Sequence, residues 1–398
     1  MKKDTKVCLK FNLLTFFVLF LFSYSTLFIG KVSAGTETVS PEEVYQFALN
    51  IINEKFYFKS RINLDRWENR FNKKIKNLDD AHKRIDKITK ELKDPYTRFL
   101  TKEQFDDEQS IINSTFIGIG VKLAFEKPVI VEVLENSPAS IEGIQPYDYI
   151  VSINDKSTKL LNSTEVANLM RGPKDSTLTV GIKRKNKLIQ KIVTRQELNF
   201  KAVSSKFLDN NIAFIKIESF IPENTSALFR NEISKLMSSD GLILDLRNNS
   251  GGLVKNAVEI ADMFLNQGKI VSTVNNSTRT NEYANSIQLY KSNIIILVNE
   301  NTASASEILA GALQENNRAI LIGKRTFGKG LVQEIIKLPD DSALHVTIAS
   351  YLTPNGSNIN KIGLTPDEII YDENIQIKRA LEVLNNSNKA ERERIASI

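Results

Sequence analysis

Reactive side chains are scarce in this sequence. One cysteine, Cys8, and two histidines, His82 and His345, are spread over 398 residues. Cys8 precedes the apolar run at 11–30 instead of following it, so it is not placed like a lipid-attachment cysteine. The rest of the chain has no thiol, which excludes disulfides and thiol chemistry from its stability and function. His82 falls in a charged helical stretch and His345 in the alternating strand at 343–348, neither in a loop that would present it. That argues against a Ser-His-Asp triad, and the lack of a His/Cys cluster argues against a zinc site. No metal or cofactor is expected. Excess charge is small as well. The formal net charge is +6, and Lys2, Lys3, Lys6, Lys10 and Lys31 against Asp4 place most of it at the amino end. A nearly neutral body gives no reason to expect nucleic acid as a partner.

What is present at the amino end reads as a targeting segment. A lysine-rich start, the apolar run and Val32-Ser33-Ala34 form the pattern of a signal peptide with a small-residue cleavage site. An uncleaved anchor is the other reading, although Asn12, Thr15, Ser23, Ser25 and Thr26 weaken the run as a membrane span. Either reading delivers the body across a membrane. The expected location is therefore periplasmic, with the amino-terminal segment as the possible membrane contact.

Composition and periodicity divide the body. Residues 35–112 are expected to be helical, opened by Ser40 as N-cap with Pro41 at the first helical position. A second, charged helix at 80–93 ends at Asp94-Pro95. From 113 to 197 the pattern changes to short strands and turns: strands at 116–123, 129–134, 149–153, 177–183 and 187–194. A short helix opens at Ser137-Pro138-Ala139, and another is capped by Ser163 or Thr164. From 198 to 372 strands alternate with helices, which predicts an α/β core. The tail at 373–398 is expected to be helical.

With histidine and cysteine set aside, serine with lysine remains. Ser304 lies in Thr302-Ala303-Ser304-Ala305-Ser306-Glu307, between a predicted buried strand and a helix. Such a junction presents a side chain beside free backbone N–H groups and the positive end of a helix dipole, which suits a developing oxyanion. Ser306 is expected to cap the helix and leave Ser304 for chemistry. Gly251-Gly252, at the other strand-to-helix junction, would let a backbone approach a ligand closely. Lys329, in Gly328-Lys329-Gly330, can be aimed from a tight turn. A lysine serving as general base must be neutral, so it is expected in a mostly apolar pocket touching Ser304. The stretch at 323–329 also matches the first part of a phosphate-binding loop. Gly330 stands where that loop needs a hydroxyl and Phe327 where it should be open, so nucleotide binding is not expected.

In this order and spacing the motifs resemble the carboxyl-terminal processing peptidases, or tail-specific proteases. The likeness runs from about 35 to 370. It includes Asp94-Pro95-Tyr96-Thr97, the glycine loop at 247–252, the Ser304 segment, Thr326 to Gly330, and Gly363-Leu364-Thr365-Pro366-Asp367. The resemblance implies a crotonase-like α/β protease core with an inserted PDZ domain, a small β-rich barrel with two helices, and an amino-terminal helical segment. It implies Ser304 as nucleophile, Lys329 as base and Gln333 orienting the lysine, with an oxyanion hole from the N–H groups of Ala305 and of Gly251 or Gly252. Four residues along a strand span roughly 13 Å, so a turn at 328–330 would have to bring Gln333 to the lysine.

For the PDZ domain the resemblance implies peptide tails added as a strand, with Phe116, Ile117, Gly118, Ile119 and Gly120 forming the carboxylate loop. Val166, Leu169 and Met170 would form the facing wall, and Arg171 would sit at the helix end as a sensor. Expected partners are protein substrates with apolar carboxyl ends and, through the amino-terminal helices, a second copy of the chain. Two other classes stay open on the residues: a non-catalytic PDZ adaptor, and an acyl-transforming enzyme of the crotonase fold. The latter fits poorly with export.

Overall fold

The structure is a computed structural model. It describes residues 39–71, 74–112, 116–124, 127–198, 201–285 and 287–396. The leader, its apolar run and the Val32-Ser33-Ala34 pattern lie outside the described residues. Among those described, no helix is long and apolar enough to cross a membrane.

The centre is a six-stranded sheet. Its spatial order is Val203–Leu208, Ile212–Ile217, Gly241–Asp245, Asn293–Val298, Ala319–Gly323 and Glu368–Ile369. The first pair is antiparallel and the others are parallel. Buried apolar runs such as Leu242-Ile243-Leu244 suit such a strand, because both faces must be covered. Side chains alternate between the faces. Leu242, Leu244, Ile294 and Ile296 pack with the helices Thr225–Ser234, Val254–Asp262 and Ala305–Glu315. Ile243, Ile295 and Leu297 pack on the other face with Ala380 and Leu384 of the helix Glu373–Ala396.

A second sheet of five strands is built on the long strand Ala343–Leu352. It pairs with Leu331–Lys337 on one side, and with Arg98–Leu100 and Lys269–Val274 on the other. The amino-terminal helices Pro41–Lys55 and Leu78–Glu91 bury Val44, Ile52, Ile85 and Ile88 against Leu344 and Val346 of this sheet and Leu338 just beyond it. Ser40 caps the first helix in a reciprocal box with Glu43, as its sequence predicts. The strand Arg98–Leu100 within this helical region was not expected from sequence.

Residues 116–198 form a small β unit with its own core around Ile130, Ile150, Val166, Val180 and Ile182. Two expectations change here. The predicted strand at 116–123 is two strands in different pairings, Phe116–Gly118 with Gln196–Leu198 and Val121–Leu123 with Ile130–Val133. Gly120 breaks it at φ +83°, where a Cβ would lie 2.2 Å from that of Ser137. The N-cap of the second helix is Asn162, not Ser163 or Thr164. Its Oδ1 accepts from the Glu165 N–H at 3.0 Å, while Glu165 accepts from the Asn162 N–H at 2.8 Å. A glutamate three residues on favours Asn162, because the two satisfy each other's backbone donors.

Candidate active site

Two parallel strands deliver the two loops that meet at the site. Asn293–Val298 leads into 299–304, and Gly241–Asp245 leads into 246–253. Ser304 opens the helix Ala305–Glu315 at φ +56° and ψ −119°, a backbone conformation that costs a non-glycine residue of order 1–3 kcal/mol. The loops hold it there. The Thr302 hydroxyl donates to Leu246 O at 2.9 Å, and Ala303 N–H donates to Asn249 O at 3.0 Å. The Ser306 hydroxyl also donates to Asn249 O at 3.0 Å. This corrects the expected role of Ser306. It lies within the first turn and fastens the glycine loop, while Ser304 takes the N-cap position.

The glycine loop is folded around Asn249. Its side chain donates to Ile217 O at 2.7 Å and accepts from Gly251 N–H at 2.9 Å. Gly251 has φ +96°, and a Cβ there would meet Ala303 O at 2.7 Å and Ser304 Cβ at 2.9 Å. Only glycine lets this loop lie flat against the serine turn. Because Gly251 N–H already serves Asn249, Gly252 and Ala305 are the better candidates for an N–H pair.

Glu307 joins the serine turn to the lysine loop. Its side chain is fully buried. One carboxylate oxygen accepts from the backbone N–H groups of Ser304 at 3.0 Å and Lys329 at 2.9 Å. The other accepts from Gly328 N–H at 2.8 Å and the Thr326 hydroxyl at 2.5 Å. The Ser304 and Lys329 nitrogens therefore lie within about 6 Å of each other, two hydrogen-bond lengths through a shared oxygen. Burial pushes the Glu307 carboxyl up, against these four donors. The sequence carried a signal for this residue, since a glutamate three positions after a serine N-cap is half of a capping box.

Burial holds the Lys329 amine down at about 8, with the Arg98 guanidinium pushing the same way and Asp94 and Glu307 opposing. Beyond burial, its surroundings include a ring and charges that the sequence did not show. The Nζ lies over the Tyr96 ring, 4.8 Å from the centroid, among charged groups. Gln333 begins the regular pairing after a bulge between Val332 and Gln333. Its amide Nε2 donates to the Thr347 hydroxyl at 3.4 Å. His82 and His345 pair with Asp340 at 2.5 Å and with Glu108 at 2.7 Å.

The β unit carries a groove of about 290 Å³ lined by residues 117–124 and by Ser163, Ala167, Met170 and Arg171, and completed by Ser250 of the glycine loop. Ile117, Gly118, Ile119 and Gly120 line this groove, and the Phe116 side chain lies outside the described residues. The other wall needs correction. Val166 is fully buried in the unit's core and Leu169 packs against it. Positions 163, 167, 170 and 171 lie along one side of the helix, with Met170 at its border with the core. Arg171 lies 4.0 Å from Glu108, which also holds Arg98 at 2.6 Å. Lys122 donates to Glu218 O at 2.9 Å, and Lys216 pairs with Glu132 at 3.0 Å, so charges also bridge the unit to the core.

Comparison with known proteins supplies a family and a fold. Residues 211–370 match Peptidase family S41, and residues 115–193 match the PDZ domain. A carboxyl-terminal-processing protease of Picosynechococcus sp. is 37% identical over 313 residues, covering 76% of this chain and 75% of its own. One from Synechocystis sp. is 32% identical over 363 residues, covering 86% and 84%. Among solved structures, a photosystem II D1 C-terminal processing protease superposes with a TM-score of 0.72 at 27% identity, covering 84% of this chain and 94% of its own.

Proposed function

The chain belongs to peptidase family S41 and is a serine peptidase of the carboxyl-terminal processing type with a PDZ domain; on that premise we propose that it works by a Ser/Lys mechanism. Ser304 Oγ attacks the scissile carbonyl carbon while neutral Lys329 Nζ takes its proton. The carbonyl oxygen, now negative, accepts from the N–H groups of Ala305 and Gly252. The C–N bond breaks, and the Lys329 ammonium gives its proton to the leaving amine. Water then attacks the acyl-enzyme, with Lys329 again as base, and frees Ser304. Gln333 acts on this reading by bracing the lysine strand through Thr347.

The observation that carries the reading is Glu307, whose one oxygen accepts from the backbone of both reacting residues. An amine held at about 8 supports the role, because about a tenth of it is neutral at pH 7. Substrates are proteins whose apolar carboxyl ends enter the PDZ groove as an added strand. We read the leader as exporting the body to the periplasm, cleaved or retained as an anchor. The domain limits follow the sequence reading: 35–112 helical, 113–197 PDZ, 198–372 peptidase core and 373–398 tail. A second copy would pair through the amino-terminal helices, and light scattering showing a monomer would end that part.

The test is cleavage of an unstructured peptide with an apolar carboxyl end. Ser304→Ala and Lys329→Ala each abolish it while circular dichroism stays unchanged. Peptide binding without turnover in the unaltered protein would favour the adaptor reading instead.

A further inference from the structure

The lysine amine faces an aromatic ring that the mechanism above leaves without a part. Lys329 Nζ stands over Tyr96, 4.8 Å from the ring centroid, within cation–π range. The ring is fixed by a short turn. Tyr96 N–H donates to Asp94 Oδ1 at 3.4 Å, and the Thr97 hydroxyl donates to Asp94 Oδ2 at 2.6 Å. Thr347 N–H in turn donates to the Thr97 hydroxyl at 3.1 Å, which bolts the turn to the long strand of the second sheet. Asp94 and Thr97 are both buried. The backbone that carries the ring therefore has a set position relative to the lysine loop, which borders the same sheet at Leu331–Lys337.

We propose that Tyr96 is a positioning residue for the base, its ring face seating the Lys329 ammonium that forms when the amine takes up the Ser304 proton. The neutral amine gains little from an aromatic quadrupole, whereas the ammonium gains most where water is excluded. The ring thus favours the species present after proton transfer over the one before it. Other charges facing the amine come from three elements. Asp94 and Arg98 lie on the Tyr96 segment, Glu307 on the helix after Ser304, and His345 on the long strand. Asp94 and Glu307 also favour the ammonium, and Arg98 opposes it. The inference rests on Lys329 being the base. The proton leaves Ser304 Oγ, stays on Nζ over the ring, and departs to the leaving amine, with no other reactant.

The experiment measures kcat/KM against pH for the full chain and for Tyr96→Phe and Tyr96→Leu, with Tyr96→Met as a second non-aromatic variant should leucine fail to fold. The acid limb reports deprotonation of the free-enzyme base. Tyr96→Phe keeps the ring face and should leave the limb in place. Tyr96→Leu should move it to lower pH by about one unit, because an ammonium without the ring is less stable. The plateau should fall about three- to tenfold, since the amine is a weaker base and its protonated form has lost its seat. An unmoved limb in both non-aromatic variants would overturn the proposal, as would equal losses in Tyr96→Phe and Tyr96→Leu. Lys329→Ala separates the two readings. Turnover in that variant removes the Ser/Lys mechanism itself, whereas an inactive Lys329→Ala beside an unmoved Tyr96→Leu limb removes only the role of the ring.

Discussion

Glu307 offers the sharpest test of how the site is held. In Glu307→Gln the shape is kept and one oxygen becomes an NH2. The best orientation leaves the carbonyl oxygen on the Ser304 and Lys329 N–H groups and turns the NH2 toward Thr326 and Gly328. Thr326 can adapt. Its hydroxyl already accepts from Leu364 N–H at 2.6 Å and can turn its own proton away. Gly328 N–H cannot adapt, and is left facing a donor. One orphaned buried donor costs about 1–3 kcal/mol, and each charge-assisted bond made neutral costs about 1 kcal/mol more. Against this, burial pushes the Glu307 carboxyl up, so removing its charge returns part of the loss. The expected net is about 2–3 kcal/mol. Glu307→Ala removes the acceptor from all four donors and should cost about 4–6 kcal/mol.

Activity should follow geometry. With the carbonyl still joining the two backbones, Glu307→Gln should lose about tenfold in kcat/KM. Glu307→Ala frees the serine turn from the lysine loop and should lose at least about a hundredfold, the effect of misplacing reacting groups by about 1 Å. Urea denaturation measures the first quantity and peptide cleavage the second. A folded Glu307→Ala enzyme within about threefold of the original rate would refute the claim that this carboxylate sets the distance between serine and lysine.

Gly251→Ala should fold but lose at least about a hundredfold in kcat with peptide affinity unchanged, because its methyl would sit 2.9 Å from Ser304 Cβ; a kinetic titration separates the two. Glu108 gives a stability prediction. Burial pushes its carboxyl up, but the His345 hydrogen bond and the Arg98 charge pull it down further, to about 2. A carboxyl depressed in the folded state adds stability above its unfolded value of 4.5, and that stability is lost as pH falls toward 2. Urea midpoints at pH 5 and pH 3 should therefore converge in Glu108→Gln relative to the original chain.

The sequence made the order of elements readable wherever periodicity was strong. Leu242-Ile243-Leu244 and Ile294 to Val298 announced buried strands because nothing polar interrupts them. Ser40-Pro41 announced a helix start because its cap is local. Errors came where two local signals competed. Ser163 and Thr164 are acceptable caps, but Asn162 has the glutamate partner at the right distance. The pattern at 116–123 looks continuous until Gly120 turns the chain at positive φ. Val166 looked like groove lining because it is apolar and helical. A single residue step decides between groove and core: Ala167 lines the groove, Val166 is in the core, and Met170 touches both.

Less of the site than of the fold could be read in this way, because its supports are far apart in the chain. Ser304 and Lys329 could be proposed by elimination, since few other reactive residues exist, and by the small residues around them. Nothing local ties Tyr96 to Lys329, Asn249 to Ile217 O, or Gln333 to Thr347. Those contacts exist only after strands distant in the chain have paired or packed, Gln333 and Thr347 as cross-strand partners within one sheet. The charges and the ring around the Lys329 amine were illegible for the same reason. Burial alone would keep the amine neutral, but a base that must also carry a proton between two steps needs neighbours that tolerate its charge. Asp94, Glu307 and the Tyr96 ring provide that tolerance, and Arg98 limits it. An amine near 8 is thus a balance between dehydration and surrounding charge. Such a balance can be reset by single substitutions at residues that never touch the substrate.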